Sequence, residues 1–169
     1  MEEILLVDGY NIIGALGDEE GSLPENLEDR RDWLIEKLAE YQGYTGIKVY
    51  VVFDAHSVAG IGREYEQHRI KVIYTKENET ADERIERLVK ELKRVQRRIY
   101  VATSDHTEQW VVFGQGALRK SARELLLELQ NLESNIAAEL EQHFSTRTNN
   151  SFSLKPELAE LFEKWRRGE

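Results

Sequence analysis

The sequence predicts an α/β domain: a mostly parallel sheet of four or more strands, helices on both faces, and helices at the C-terminus. Three observations carry this. Short β-rich runs alternate with helical patterns along the chain, the order expected of parallel strands joined by crossover helices. Three of the four runs stop at an aspartate. The chain has 169 residues and 40% hydrophobic content, enough for one domain with a substantial core. The expectation is a single domain over 1–169, with 121–169 as its C-terminal helical part.

The elements follow in order. "EILLVD" is nearly continuously apolar, as in a strand covered on both faces, and ends at Asp8. "GDEEGSLPEN" is a polar loop. Leu27, Trp33, Leu34, Leu38 and Tyr41 lie at mostly helical spacing over 27–42, and Gly43 and Gly46 bracket the stop. "IKVYVVFD" is a second strand, ending at Asp54. "AHSVAGIG" is a loop and "RIKVIYT" a third strand. Thr80 and Glu83 form a capping box that opens the next helix, with Ile85, Leu88, Leu92 and Val95 as its apolar stripe. "RIYVATSD" is a fourth strand, ending at Asp105.

Residues 107–113 suit a short helix, followed by the turn "GQGA". Ser121 and Glu124 make a second capping box at the head of a long helix reaching about His143, with Leu125, Leu129, Leu132, Ile136 and Leu140 along one face. "FSTRTNNSFSL" reads as a polar loop. Pro156 fits the first turn of a final helix, "PELAELFEKWRR".

Composition excludes several classes. No cysteine is present, so disulfides, thiolate catalysis and cysteine-based zinc sites are out. No apolar run approaches the roughly 20 residues of a membrane helix. The first residues show no basic segment followed by an apolar one, so a cytoplasmic protein is expected. The net charge is −9, unevenly spread: residues 1–54 carry 4 basic and 13 acidic side chains, whereas 55–123 carry 14 and 10. The negative total therefore leaves room for a basic surface in the middle of the chain.

In an open parallel sheet the functional crevice lies outside the carboxyl ends of the strands. Asp8, Asp54 and Asp105 are expected to converge there. Asp82, just inside the helix opened by Thr80, joins them at the same edge. Such carboxylates repel one another unless a cation sits among them. Oxygen ligands without cysteine or paired histidine suit Mg²⁺ or Mn²⁺, and that arrangement suits phosphodiester hydrolysis. Each aspartate alone also suits a turn or a cap. Asn11 either turns the chain after the first strand or bonds the carboxylates or a phosphate. Thr103 and Ser104 either bond the backbone or hold Asp105 and a water. "GQGALRKS", with Arg119, Lys120 and nearby Arg123, either meets RNA phosphates or is a tight turn followed by an exposed first helical turn. His56 and His106 flank strand-end aspartates, but such loop histidines are usually only solvated. Trp110, Phe113 and Trp165 are read mainly as packing residues, with Trp110 and Tyr10 as alternative stacking partners for bases. An aspartate-nucleophile phosphatase would place a second aspartate two residues after Asp8, where Tyr10 stands.

Together "LLVDGYNII", "VVFDAH", "TKENETADERIE", "VATSDHTEQW" and "GQGALRKSARELL" resemble the YacP family of NYN-domain proteins, within the PIN-like nuclease superfamily. The resemblance spans essentially the whole chain. It implies a PIN-like three-layer α/β/α fold and a metal-dependent endoribonuclease cutting single-stranded RNA. By matching motifs it puts acidic ligands at Asp8, Asp82 and Asp105, an asparagine at Asn11, and a ligand or supporting group at Asp54. Glu79 is a further outer group. The nearest resemblance is to a ribosome-associated mRNA endonuclease, which implies mRNA and the ribosome as partners. The competing reading is a non-catalytic RNA- or ribosome-binding adaptor.

Overall fold

The computed structural model describes residues 1–16, 24, 26–55, 64–152 and 164–168. The chain forms two compact units, Met1–Gln130 and Asn131–Glu169. The elements run β1 (Glu2–Asp8), α1 (Gly9–Leu16), α2 (Leu27–Thr45), β2 (Lys48–Phe53), β3 (Glu64–Gln67), β4 (Ile70–Tyr74), α3 (Ala81–Leu92), β5 (Arg97–Ala102), α4 (His106–Gly114), β6 (Leu118–Lys120) and α5 (Ala122–Phe152). The six strands form one sheet in the order β3-β4-β2-β1-β5-β6. Every pairing is parallel except β3 with β4. This is the α/β architecture expected from the alternation of elements.

The order sets the position of the site. From β1 the chain passes through α1 and α2 to β2 on one side. From β4 it passes through α3 to β5 on the other side of β1. The direction reverses between β1 and β5, and the crevice of such a sheet opens at the carboxyl ends of those strands. Side-chain alternation divides the faces. Ile4 and Leu6 of β1 join Val52, Ile73, Ile99 and Val101 in a core capped by Ala81, Ile85, Leu88 and Val89 of α3 and Val112 of α4. Phe53 lies on the opposite face, beside Gly9 and Tyr10 of α1. Asp8 is in phase with Ile4 and Leu6, so the period of two aims its carboxylate to the α3 side.

Local chemistry sets the helix ends. Asn26 caps α2 through Asp29 N–H at 3.0 Å, and Gly46, at φ +76°, closes it. Thr80 accepts Glu83 N–H at 3.2 Å, and Ser121 accepts Glu124 N–H at 3.1 Å. Both capping boxes therefore form the N-terminal half of their motif.

Five features depart from the sequence reading. The helix opened by Thr80 ends at Leu92, which leaves Val95 of its expected stripe exposed. Helix α1 starts directly after β1, where only a turn was expected. Strands β3 and β6 are too short, at four and three residues, to show a period of two. The segment from Phe144 to Phe152, expected to be loop, continues α5. Leu125, Leu129 and Leu132 of the expected stripe are buried, whereas Leu140 is exposed. Most of the loops expected before the helix over 27–42 and after β2, with His56, lie outside the described residues. So does most of the final expected helix, of which 164–167 is helical.

Candidate metal centre

Three carboxylates meet at the reversal point, each in or next to the first turn of a helix. Asp8 ends β1 and leads into α1, where it accepts the backbone N–H of Asn11. Asp82 lies in the first turn of α3. Glu108 lies in the first turn of α4. One ligand oxygen from each falls within 4.8 Å of the others. The positive ends of three helices face this point, which favours gathering negative charge there.

Gathering it in a buried place is still costly. Asp8 is 7% exposed and Glu108 2%. Burial, then the charges of Asp82 and Asp54, push the Asp8 carboxyl up to about 6, against hydrogen bonds from Glu108 and the Asn11 backbone. Burial, a shared hydrogen bond with Asp82, and the Asp8 charge push Glu108 up to about 10. At neutral pH the cluster therefore retains a proton, held mainly at Glu108. Glu108 Oε2 lies 3.0 Å from Thr103 Oγ1, while its buried Oε1 has no protein donor. A ligand set made wholly of carboxylate oxygens, from Asp8, Asp82 and Glu108, fits a hard divalent cation.

Asn11 braces the β1 and β5 ends against each other. Its Oδ1 accepts from Ser104 N–H at 2.6 Å and Ser104 Oγ at 2.9 Å, and lies 3.3 Å from Thr103 Oγ1. Gln109, 5% exposed, donates from Nε2 to Thr103 O at 2.7 Å. Gly9 lets α1 start close to the sheet, since a Cβ there would run into the Phe53 ring.

The family model for the YacP-like NYN domain matches residues 5–167. The chain belongs to the YacP-like NYN family. It is 53% identical over 167 residues to YacP of Bacillus subtilis (strain 168), covering 99% of this chain and 98% of that one. The crystal structure of Rae1 (YacP) from Bacillus subtilis superposes with a TM-score of 0.73 at 51% identity, covering 98% of this chain and 95% of that one. A tryptophan-to-leucine variant of the same protein matches with a TM-score of 0.68 at 52% identity, covering 90% and 85%. Membership of the YacP-like NYN family supports a nuclease function directed at RNA, and the acidic cluster matches the metal dependence typical of NYN and PIN-like proteins.

Within this YacP-like fold the residues singled out in the sequence take different places. Asp8 and Asp82 come together. Asp105 lies outside the triple: it is the N-cap of α4, its Oδ1 accepting Thr107 N–H at 2.9 Å. Asp54 follows β2, half-buried, near enough for its charge to raise Asp8. Ser104 is exposed and engaged with Asn11. Glu79 pairs with Arg87 at 2.9 Å. Lys120 is held by Glu128 at 2.7 Å and lies over the Tyr41 and Tyr100 rings. Arg119 and Arg123 are exposed, and Arg119 Nη1 donates to Gln109 Oε1 at 3.2 Å. Trp110 is 76% exposed, contrary to its reading as a packing residue.

Glu108 was not anticipated. It sits three residues after Asp105 in "DHTE", where a glutamate reads as the partner of a helix cap. The available signal was its spacing of four from Val112, which puts it on the core-facing stripe of α4.

Proposed function

We propose that the protein is a Mg²⁺- or Mn²⁺-dependent endoribonuclease that cuts single-stranded RNA, with mRNA at the ribosome as its natural substrate. The observation that carries this reading is the meeting of Asp8, Asp82 and Glu108, with the orphaned Glu108 Oε1 among them, in a chain of the YacP-like NYN family. These three residues hold the cation, with Asp54 adding negative charge. Asp105 serves the site by starting α4 and so aiming Glu108. Bound there, a divalent cation polarises the phosphoryl oxygen, makes the attacking water more acidic and neutralises charge on the leaving oxygen.

The protein's own groups do the rest. Thr103 fixes Glu108 through its hydroxyl. Asn11 has its Oδ1 engaged, which leaves its amide N–H groups to orient a phosphate oxygen. A net charge of −9 opposes capture of free RNA, and this favours a setting in which a larger partner such as the ribosome delivers the strand, as does the resemblance in sequence. No helix among the described residues is long and apolar enough to cross a membrane.

The test is cleavage of single-stranded RNA by the purified chain with Mg²⁺ or Mn²⁺, against an EDTA control, and by Asp8→Asn and Asp82→Asn. Cleavage that needs the metal and is lost in both variants supports the reading. RNA binding that survives EDTA without cleavage establishes the adaptor instead. For the ribosomal setting, translated mRNA is cut faster than the same RNA free; equal rates count against it.

A further inference from the structure

Helix α4 has its polarity reversed. It buries Glu108, Gln109 and Val112, and exposes Trp110 at 76% and Phe113 at 58%. His106, Trp110 and Phe113, at spacings of four and three, share its outward side. With Gln109 and with Leu118 and Arg119 of β6 they line a cavity of about 580 Å³. That size falls within the roughly 300–1,000 Å³ of small-ligand sites, whose walls are mostly apolar with a few placed polar groups. The cavity is joined to the metal centre. Gln109 accepts from Arg119 at 3.2 Å and donates to Thr103 O at 2.7 Å, and Thr103 reaches Glu108 and Asn11. The two sites lie on opposite sides of one helix, about 10 Å across.

We propose that this cavity is a nucleotide subsite: it holds one unstacked base of the RNA strand against Trp110 and Phe113, with Arg119 on an adjoining phosphate. The inference rests on the endoribonuclease reading and adds where the strand runs beyond the scissile bond. The occupant follows from the chemistry of the walls. Exposed aromatic faces beside a guanidinium complement a flat base carrying a negative backbone. A wholly apolar partner segment would cover Arg119 and His106 without satisfying them. Single-stranded RNA is favoured over a duplex, because only an unpaired base can leave its stack to enter a cavity.

The test is photocrosslinking of the full-length chain to a single-stranded oligoribonucleotide carrying thiouridine, with Ca²⁺ present to hold the strand with little turnover. The expected crosslink maps to Trp110 or Phe113. Trp110→Ala weakens RNA binding by roughly 5- to 150-fold, the range for loss of one base–aromatic stack. In cleavage assays the loss appears in KM rather than kcat, and Trp110→Phe restores most of it. Arg119→Ala lowers the salt dependence of binding. Both side chains are exposed, so folding is not at stake. Crosslinks confined to other elements, with Trp110→Ala binding RNA as tightly as the parent, overturn the proposal. So does a concentration-dependent dimer that Trp110→Ala disperses while RNA affinity holds. A crosslink at Trp110 in a chain that never cleaves RNA refutes the nuclease reading alone; metal-dependent cleavage with no crosslink on α4 refutes the subsite alone.

Discussion

Glu108→Gln separates the roles of charge and shape at the centre of the site. The carboxyl is buried and pushed up to about 10, so at pH 7 it is protonated and resembles the amide that would replace it. Ionising it at that pH costs about 4 kcal/mol, three pH units at roughly 1.4 kcal/mol each. The cation must supply that energy when it displaces the proton. Metal affinity in the parent should therefore rise about tenfold per pH unit between 6.5 and 8.5, with about one proton released per cation bound. Below about 6 the slope should steepen, because Asp8 also takes up a proton. Glu108→Gln removes the anionic ligand and leaves the shape. Without metal the variant should be more stable than the parent at pH 7, because the unfolded glutamate ionises near 4.5 whereas the folded one keeps its proton, and the difference should vanish below about pH 4. Its Mn²⁺ affinity should fall by at least tenfold, and proton release at pH 7 to 8 should vanish. Titration calorimetry in buffers of different ionisation enthalpy measures both quantities. A variant that binds Mn²⁺ as tightly as the parent, with the same proton release, would refute the reasoning and place the cation elsewhere.

Other consequences follow from the same geometry. In EDTA, Asp8 binds its proton more tightly folded, at about 6, than unfolded, near 3.8. Its contribution to stability is thus full below pH 4 and lost as pH rises through 6, by at most about 3 kcal/mol. The melting temperature of the metal-free protein should fall between pH 4.5 and 7, less so in Asp8→Asn; identical profiles would contradict the assignment. Asn11→Ala strips the acceptor from Ser104 N–H, Ser104 Oγ and Thr103. It should cost about 1–3 kcal/mol in urea unfolding and depress kcat, and full activity would show that the brace is dispensable. Gly9→Ala drives a methyl into the Phe53 ring, itself packed 5.0 Å from Tyr10 and 5.6 Å from Tyr74. Overpacking there should cost about 1–3 kcal/mol; an unchanged unfolding midpoint would show that the ring yields freely.

The long strands and capped helices were legible because each carries its own signal. "ILLV" and "YVVF" are short apolar runs, and Thr80 and Ser121 announce helix starts. Strands β3 and β6 were not legible, since β3 is polar, β6 is "LRK", and both exist through pairing with β4 and β5 rather than through their own pattern. Helix α1 was masked by Gly9, which reads as a turn until the closeness of Phe53 explains it. At the site, parallel topology was enough to bring Asp8 and Asp82 to one edge. It was not enough to tell which of Asp105 and Glu108 lies beside them, because that depends on which way each side chain leaves the start of α4. Asp105 turns back to Thr107 N–H and Glu108 turns into the core. The reversed polarity of α4 misled for the same reason: aromatics are expected inside and glutamate outside, and breaches of that rule gather at functional sites.

The most direct test is the anomalous diffraction signal of Mn²⁺ bound to crystals of the protein. The account predicts a peak among Asp8, Asp82 and Glu108, with oxygens from all three at roughly 2.0–2.2 Å, and Asp105 still bonded to Thr107 N–H. A peak ligated by Asp105 in place of Glu108, or none near Asp8 at saturating Mn²⁺, would contradict it.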